Sequence, residues 1–214
     1  MPIVFISLSE TFTEKIKKYG YEAKTMKIQD YIPTKKTYYV SPTNSLCFMD
    51  GGIDYALSRF VFPNIEKEVK TIVKQLGIKS IVGKYYLPIG SSILLHKGNT
   101  SLVVSPTMLL PQNVSHTKNA YYATMAVLYT ILIYNKENIK DVDILFTSFC
   151  CGYGKMEEQV CIQQILDGIK DYINYNPQRI YKNIIINEPN LYEQPKYYQN
   201  TEFFPIKPED IITC

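Results

Sequence analysis

The chain has 214 residues, of which 46% are hydrophobic and 20% are charged, and its formal net charge is +3. This length and composition indicate a globular protein of one domain with a buried core. The basic residues are scattered along the chain, which argues against nucleic acid as a partner. Without a signal peptide or a long apolar run, we expect no membrane attachment and a cytoplasmic or nuclear protein that is not secreted.

The cysteine and histidine content limits the kinds of site that the chain can hold. There are five cysteines and two histidines, and no C-x-x-C pair. An odd number of cysteines in this pattern fits neither a disulfide framework nor a zinc site. We therefore expect a reducing environment, no bound metal and no cofactor.

Short apolar runs alternate with longer segments of helical pattern along the chain. The runs predict strands at residues 2–8, 23–28, 37–41, 92–96, 101–105, 142–147 and 180–187. The segments between them predict helices at residues 10–18, 52–60, 63–76, 118–134 and 155–172. Lys97-Gly98-Asn99, between two of the strands, predicts a hairpin. This alternation is typical of a three-layer α/β domain.

The domain is expected to end before the last part of the chain. We assign residues 1–187 to it. Residues 188–214 contain four prolines and many Tyr, Asn and Gln residues. This composition predicts an irregular C-terminal tail that packs on the domain.

The predicted strand at residues 37–41 leads into a loop of polar residues and glycine. The loop holds Asn44, Asp50, Gly51, Gly52 and Asp54, and the next helix is predicted to begin at about Gly52. A glycine turn followed by a helix start offers backbone N–H groups to an anion. The alternative is a plain helix-entry turn, in which Asp54 is a first-turn carboxylate that faces the helix dipole.

A second glycine loop, Cys150-Cys151-Gly152-Tyr153-Gly154, follows the strand at residues 142–147. Ligands of open α/β sheets bind at the carboxyl ends of strands, so a diphosphate could lie between the two loops. Neither loop is G-x-G-x-x-G, and no Walker lysine follows either one. A dinucleotide-binding turn and a P-loop are therefore excluded.

Together the two loops resemble the motifs of the macro domain family, which binds ADP-ribose. The first motif is matched by Val40-Ser41-Pro42-Thr43-Asn44 and by Gly51-Gly52-Ile53-Asp54-Tyr55-Ala56, and the second by the loop that ends at Gly154. The family also carries an aspartate upstream of the motif asparagine, and Asp30 precedes Asn44 by 14 residues (44 − 30). The resemblance covers about residues 28–175. It implies a divergent macro-domain-like protein with a three-layer α/β/α fold and a central mixed sheet.

The resemblance implies a role for each matched residue. Asp30, with Tyr31 beside it, would accept a hydrogen bond from the adenine amino group. Asn44 would contact the distal ribose, and Asn44 and Asp54 would hold and activate a water as the catalytic pair. The other implied ligand-binding residues, mostly around the diphosphate, are Asp50, Gly51, Gly52, Ile53, Cys150, Cys151, Gly152, Tyr153 and Gly154.

The residues by themselves leave other interpretations open. Asp30 could be a turn carboxylate, and Asn44 could brace its own loop. A cysteine nucleophile would need a histidine base, and only His96 and His116 exist. Phe48 and Phe149 could flank the ligand, although aromatic residues beside strands are more often part of the core.

The resemblance implies that the protein binds ADP-ribose or a derivative. As an enzyme it would hydrolyse ADP-ribose from modified proteins, or deacetylate O-acetyl-ADP-ribose, without a metal. The first alternative is a non-catalytic reader that binds an ADP-ribosylated protein. The second is a scaffold that has lost the pocket, which is motivated by Asp50, Tyr153 and the Cys150-Cys151 pair where the family carries other residues.

Overall fold

The computed structural model of the protein describes residues 2–80, 83–135 and 139–174. The chain falls into two units, Met1–Ile173 and Asn174–Cys214, and every element below belongs to the first. The predicted strand at residues 180–187 and the predicted tail at residues 188–214 lie outside the described residues.

A six-stranded sheet with the order β2-β1-β6-β3-β5-β4 forms the centre of this unit. The strands are β1 (Ile3–Ser7), β2 (Glu22–Thr25), β3 (Lys36–Ser41), β4 (Ile93–Lys97), β5 (Thr100–Val104) and β6 (Val142–Phe146). All neighbouring pairs are parallel except the β4–β5 hairpin, which is antiparallel. The sheet is therefore mixed, and the predicted hairpin is confirmed.

Five α-helices accompany the described strands: α1 (Glu10–Lys18), α2 (Gly52–Ala56), α3 (Ile65–Leu76), α4 (Asn119–Tyr134) and α5 (Glu158–Ile173). Short 3-10 turns lie at Ile28–Asp30 and Ile139–Asp141, and a π-helical turn, Leu57–Val61, follows α2. In the part of the chain that the structure describes, no helix has the length and apolar character needed to cross a membrane.

The side chains of each strand alternate between the two faces of the sheet, so both faces are apolar and both are covered by helices. Ile3 and Phe5 of β1 pack in the core beneath α1, α4 and α5. Val4 and Ile6 pack in the opposite core, beneath the α2–α3 segment. The predicted three-layer α/β/α arrangement with a central mixed sheet is confirmed.

Three predicted element boundaries are wrong by three residues or more. Strand β2 ends at Thr25, because a 3-10 turn follows in which Asp30 N–H donates to the Lys27 carbonyl at 3.1 Å. Helix α2 ends at Ala56, where the π-helical turn begins. Helix α5 begins at Glu158 and not at residue 155, since Lys155 has a φ of 53°, a left-handed conformation that no right-handed helix contains.

The parallel strands place their carboxyl ends along one edge of the sheet. Ser7 of β1 is in register with Thr25 of β2, and Ser41 of β3 is in register with Val104 of β5. Central β6 lies between β1 and β3. The loops that leave these strands meet at this edge, which is where ligands of open α/β sheets bind.

Candidate functional site

A cleft of about 490 Å³ lies along this edge of the sheet. Its volume is within the range that small-molecule sites of proteins occupy. Residues from the carboxyl ends of five strands line it: Ile6, Ser7, Leu8, Met26, Lys27, Ile28, Gln29, Pro42, Thr43, Asn44, Phe48, Asp50, Gly51, Gly52, Ile53, Asp54, Tyr55, Ala56, Phe60, Thr107, Met108, Pro111, Ser148, Cys150, Gly152, Tyr153 and Gly154. Most of the predicted site residues are therefore brought together in one cleft.

Asn44 shapes the first loop through its own side chain. Its Nδ2 donates to the Phe48 carbonyl at 3.0 Å, and its Oδ1 accepts from the N–H groups of Leu46 at 3.1 Å and Phe48 at 3.3 Å. The residue is only 6% exposed, although it lines the cleft. This is the bracing role that the sequence left open, and the predicted contact with a ribose stays a prediction.

The turn that opens α2 presents unpaired backbone donors. The first backbone bond of the turn is donated by Tyr55 N–H to the Gly51 carbonyl at 3.2 Å. Within the part of the chain that the structure describes, the N–H groups of Gly52, Ile53 and Asp54 have no acceptor. Because α2 spans five residues, its dipole is small, and these donors rather than the dipole would attract an anion.

The second loop presents its N–H groups for a different reason. Its carbonyls are used internally: Cys150 accepts from Met156 at 3.0 Å, Gly152 accepts from Lys155 at 3.0 Å, and Gly154 accepts from Val114 at 2.9 Å. The N–H groups from Gly152 to Gly154 have no acceptor among the described residues. This loop therefore also offers three backbone donors, while three of its carbonyls are already engaged.

The two loops are in contact across the cleft. A Cβ added at Gly51 would lie 3.5 Å from Cε2 of Tyr153, so the tyrosine ring lies beside the first loop. A Cβ added at Gly152 would meet nothing within 4 Å, whereas one at Gly154 would lie 2.3 Å from the Cys150 carbonyl oxygen. Gly152 thus leaves room for a ligand, and Gly154 is required by the loop itself.

Asp54 has the environment of a residue that can exchange protons near neutral pH. The Ser41 hydroxyl donates to its Oδ1 at 2.5 Å. Burial raises the pKa of the Asp54 carboxyl to about 7, and the carboxylates of Asp50 and Glu66 add to this, while hydroxyls of Ser41 and Thr43 oppose it. Desolvation dominates because it disfavours the charged form. The predicted general-base role is compatible with this pKa.

The buried thiols of Cys47, Cys150 and Cys161 do not have the properties of nucleophiles. Burial raises the pKa of Cys150 to about 12 and that of Cys47 to about 12. Burial also raises the pKa of Cys161, beside Cys151, well above its ordinary value. The reactive form of a cysteine is the thiolate, so Cys47, Cys150 and Cys161 are poorly suited to attack at neutral pH.

Asp30 and Tyr31 are not among the residues that line the cleft. Asp30 is exposed on the 3-10 turn. Tyr31 is buried, and its hydroxyl donates to Oδ2 of Asp143 at 2.8 Å, while Lys35 pairs with Oδ1 of Asp143 at 2.9 Å. Burial, together with this bond, raises the pKa of Tyr31 well above its usual range. Tyr31 thereby anchors the 3-10 turn to β6. The positions of Asp30 and Tyr31 do not support a contact of either residue with adenine.

Several lining residues were not predicted from the sequence. The wall of residues 26–29 includes Lys27 and Gln29, next to the predicted Asp30. Of the two phenylalanines that the sequence offered as ligand neighbours or core residues, Phe48 lines the cleft and Phe149 is fully buried in the core. Tyr55 and Phe60 also line the cleft, and the centroids of their rings are 6.2 Å apart. Among the described residues, no group of three or more His, Cys, Asp or Glu could hold a metal ion.

Comparisons with known proteins describe the fold. No family model matches the sequence, and no curated protein matches it. A solved structure of a protein of unknown function from Bacteroides thetaiotaomicron has a TM-score of 0.51 and 10% identity, and the match covers 78% of this chain and 90% of that one. The macrodomain of Mycobacterium tuberculosis DarG has a TM-score of 0.49 and 14% identity, with 65% and 84% covered.

Thermosipho africanus DarTG, solved in complex with ADP-ribose, has a TM-score of 0.46 and 17% identity, and the match covers 67% of this chain and 36% of that one. At identities of this size, a structural likeness describes the fold alone. In fold, the chain is an α/β protein with a mixed six-stranded sheet, similar to the Bacteroides protein, and the resemblance of its two glycine loops to the macro domain family stays a prediction.

Proposed function

We propose that the cleft binds ADP-ribose or a derivative of it, with the diphosphate between the two glycine loops. The observation that carries the proposal is the set of unpaired backbone donors, Gly52 to Asp54 and Gly152 to Gly154, on two loops that touch across one cleft. Backbone N–H groups that converge from two loops form an anion site of the kind that proteins use for phosphates.

The length of the cleft suits a ligand with a group at each end of a diphosphate. The loops that carry the donors follow β3 and β6, which lie in the middle of the sheet. Beyond them, the cleft continues to the ends of β1 and β2 on one side and to Thr107 and Pro111 after β5 on the other. Among ligands that contain a diphosphate, we choose ADP-ribose because both loops resemble the motifs of a family that binds it.

The charges in the cleft make binding depend on pH. Asp50 and Asp54 line the cleft beside the donors and would repel a diphosphate when both are ionised. The pKa of Asp54 is about 7, so this carboxyl is largely neutral at pH 6 and largely charged at pH 8. We expect the affinity for ADP-ribose to fall over this interval, and Asp54→Asn to remove most of the dependence.

Calorimetric titration and thermal unfolding with ADP-ribose, AMP and NAD test the proposal. At ligand concentrations of about 100 times the dissociation constant, linkage stabilises the protein by about 2.7 kcal/mol. This corresponds to a rise in Tm of roughly 5 to 10 °C for a domain of this size. The decisive variant is Gly152→Val, because Gly152 lines the cleft and a Cβ added there would meet nothing within 4 Å.

We expect Gly152→Val to keep the Tm of the free protein and to abolish the rise with ADP-ribose. Gln112→Val, an exposed loop residue outside the cleft, is the matched control and should bind normally. If the unmodified protein binds none of the three nucleotides, the proposal fails, and the fold is a scaffold that has lost the pocket.

For catalysis, we propose that Asp54 activates a water for hydrolysis of ADP-ribose from a modified protein. The support is its pKa of about 7, which lets the carboxylate accept a proton under neutral conditions. A turnover assay on a mono-ADP-ribosylated protein should show activity that rises as the pH passes through about 7. Asp54→Asn should lower turnover by about 100-fold or more while ADP-ribose still binds.

The reader function has its own observation in its favour. The side chain of Asn44, the other member of the predicted catalytic pair, is engaged in bracing the loop. Binding of ADP-ribose by the unmodified protein without any turnover, at any pH from 6 to 8.5, would support a reader. Equal loss of binding and turnover in Asp54→Asn would contradict a catalytic role for this residue.

A further inference from the structure

The end of the cleft beside β1 and β2 is the part best suited to a flat apolar group. Ile6 lies near the end of β1 and Leu8 follows that strand, while Met26 and Ile28 follow β2, and all four residues line the cleft. The two chain segments are joined by the Met26 N–H, which donates to the Ser7 carbonyl at 3.0 Å. A nucleobase that enters here would cover apolar surface from both strands.

Two polar side chains of this wall are available to a ligand. Gln29 is partly buried, and within the described part of the chain its amide makes no hydrogen bond. Lys27 is exposed, and it forms no ion pair with any described carboxylate. Asp30, one residue further along, lies outside the lining.

We propose that Gln29 determines the specificity of the site by hydrogen-bonding to the edge of an adenine base. An amide both donates and accepts. Adenine presents an amino donor next to a ring-nitrogen acceptor, and glutamine pairs with this edge through two bonds. The ammonium of Lys27 only donates, so it cannot accept from the amino group. This inference rests on the proposed function, because it assumes that the diphosphate lies at the two glycine loops.

The test compares Gln29→Leu with Asp30→Leu, using two ligands. ADP-ribose carries the base, and ribose 5-diphosphate carries the anion without it. We expect Gln29→Leu to weaken ADP-ribose binding about tenfold, from the loss of two hydrogen bonds, and to leave ribose 5-diphosphate unaffected. Asp30→Leu should bind both ligands as the unmodified protein does.

A second variant separates a hydrogen-bonding role from a change of shape. Gln29→Glu keeps the acceptor and the size of the side chain but loses the donor when the new carboxyl is ionised. At such a pH it should lose part of the affinity for ADP-ribose, but less than Gln29→Leu, because one bond remains. Thermal unfolding of the free variants establishes that each one folds.

The outcomes distinguish this inference from the function on which it rests. Loss of ADP-ribose binding in Asp30→Leu, but not in Gln29→Leu, overturns the role of Gln29 and leaves the cleft intact. Equal weakening of both ligands by Gln29→Leu also overturns it, since the residue would then act on the anion or on the wall. If the unmodified protein binds neither ligand, both the inference and the proposed function fail.

Discussion

The two glycine loops of the cleft offer similar donors but are held in place by different means. The first loop is braced by a polar side chain, since Asn44 bonds to the backbone of Leu46 and Phe48. The second is held by its own carbonyls and by the tight fit at Gly154. The comparison shows that a loop with unpaired backbone donors can be held either by the hydrogen bonds of one side chain or by a backbone shape that only glycine permits.

Gly154→Ala should have the largest effect on stability. The added Cβ would lie 2.3 Å from the Cys150 carbonyl oxygen and 2.8 Å from Cγ2 of Val114, so the backbone has to move. We expect a loss of about 3 kcal/mol or more in the free energy of unfolding, measured by chemical denaturation. Gly152→Ala, in the same loop, is the matched control and should be nearly neutral. Equal effects would mean that the loop is not held by this contact.

Asn44→Ala should come next in size. It removes the three hydrogen bonds that shape the first loop and leaves the two N–H groups that Asn44 serves without their partner. A loss of about 2 kcal/mol is expected from denaturant unfolding. The control is Asn113→Ala, which removes one bond, to Ser115 N–H, on an exposed loop. A loss no larger than that of the control would contradict the bracing role.

Asp54→Asn should raise the free energy of unfolding of the protein above neutral pH. The pKa of Asp54 is raised from 3.8 to about 7 on folding, so the folded state holds a proton that the unfolded state loses. Stability of the unmodified protein therefore falls as the pH rises from about 4 to about 7, and then levels off. At pH 8 the free energy of unfolding of the variant should exceed that of the unmodified protein by about 1 to 2 kcal/mol. Unfolding at pH 4 and pH 8 measures this, and a gain that is equal at both pH values would show another cause.

Lys155→Gly should give the smallest change, a stabilisation of about 0.5 to 1 kcal/mol. Lys155 has a φ of 53°, a left-handed conformation that glycine adopts without strain. Lys155→Ala is the control, since alanine keeps the strain and should not be more stable than the unmodified protein. Thermal unfolding compares the three chains. A gain in the alanine variant would assign the effect to the lost charge.

Much of the fold follows from local sequence signals. A helix was predicted at residues 10–18, and α1 has these bounds, with the Ser9 hydroxyl before it accepting from Phe12 N–H at 3.1 Å. The predicted end of α3 at residue 76 is confirmed, and Gly77 directly after it adopts a φ of 74°. One boundary that failed, the start of α5, depends on the left-handed Lys155, which no local preference of lysine predicts.

The site was predicted less completely than the fold. Motif spacing located both loops, because glycines after buried strands mark them directly. The same spacing selected Asp30, whereas the 3-10 turn places Gln29 in the lining and leaves Asp30 outside. The side of a turn that faces a cleft depends on how the turn packs, here through Tyr31 and its bond to Asp143.

The sequence by itself determined that strands and helices alternate, and that two glycine loops follow buried strands. These features arise from hydrophobic periodicity and turn chemistry within short segments. Only the tertiary structure decided that the loops touch through Gly51 and Tyr153, and that Asp54 titrates near pH 7. Both properties depend on distance and burial, and these are set by residues far apart in the chain that folding brings together.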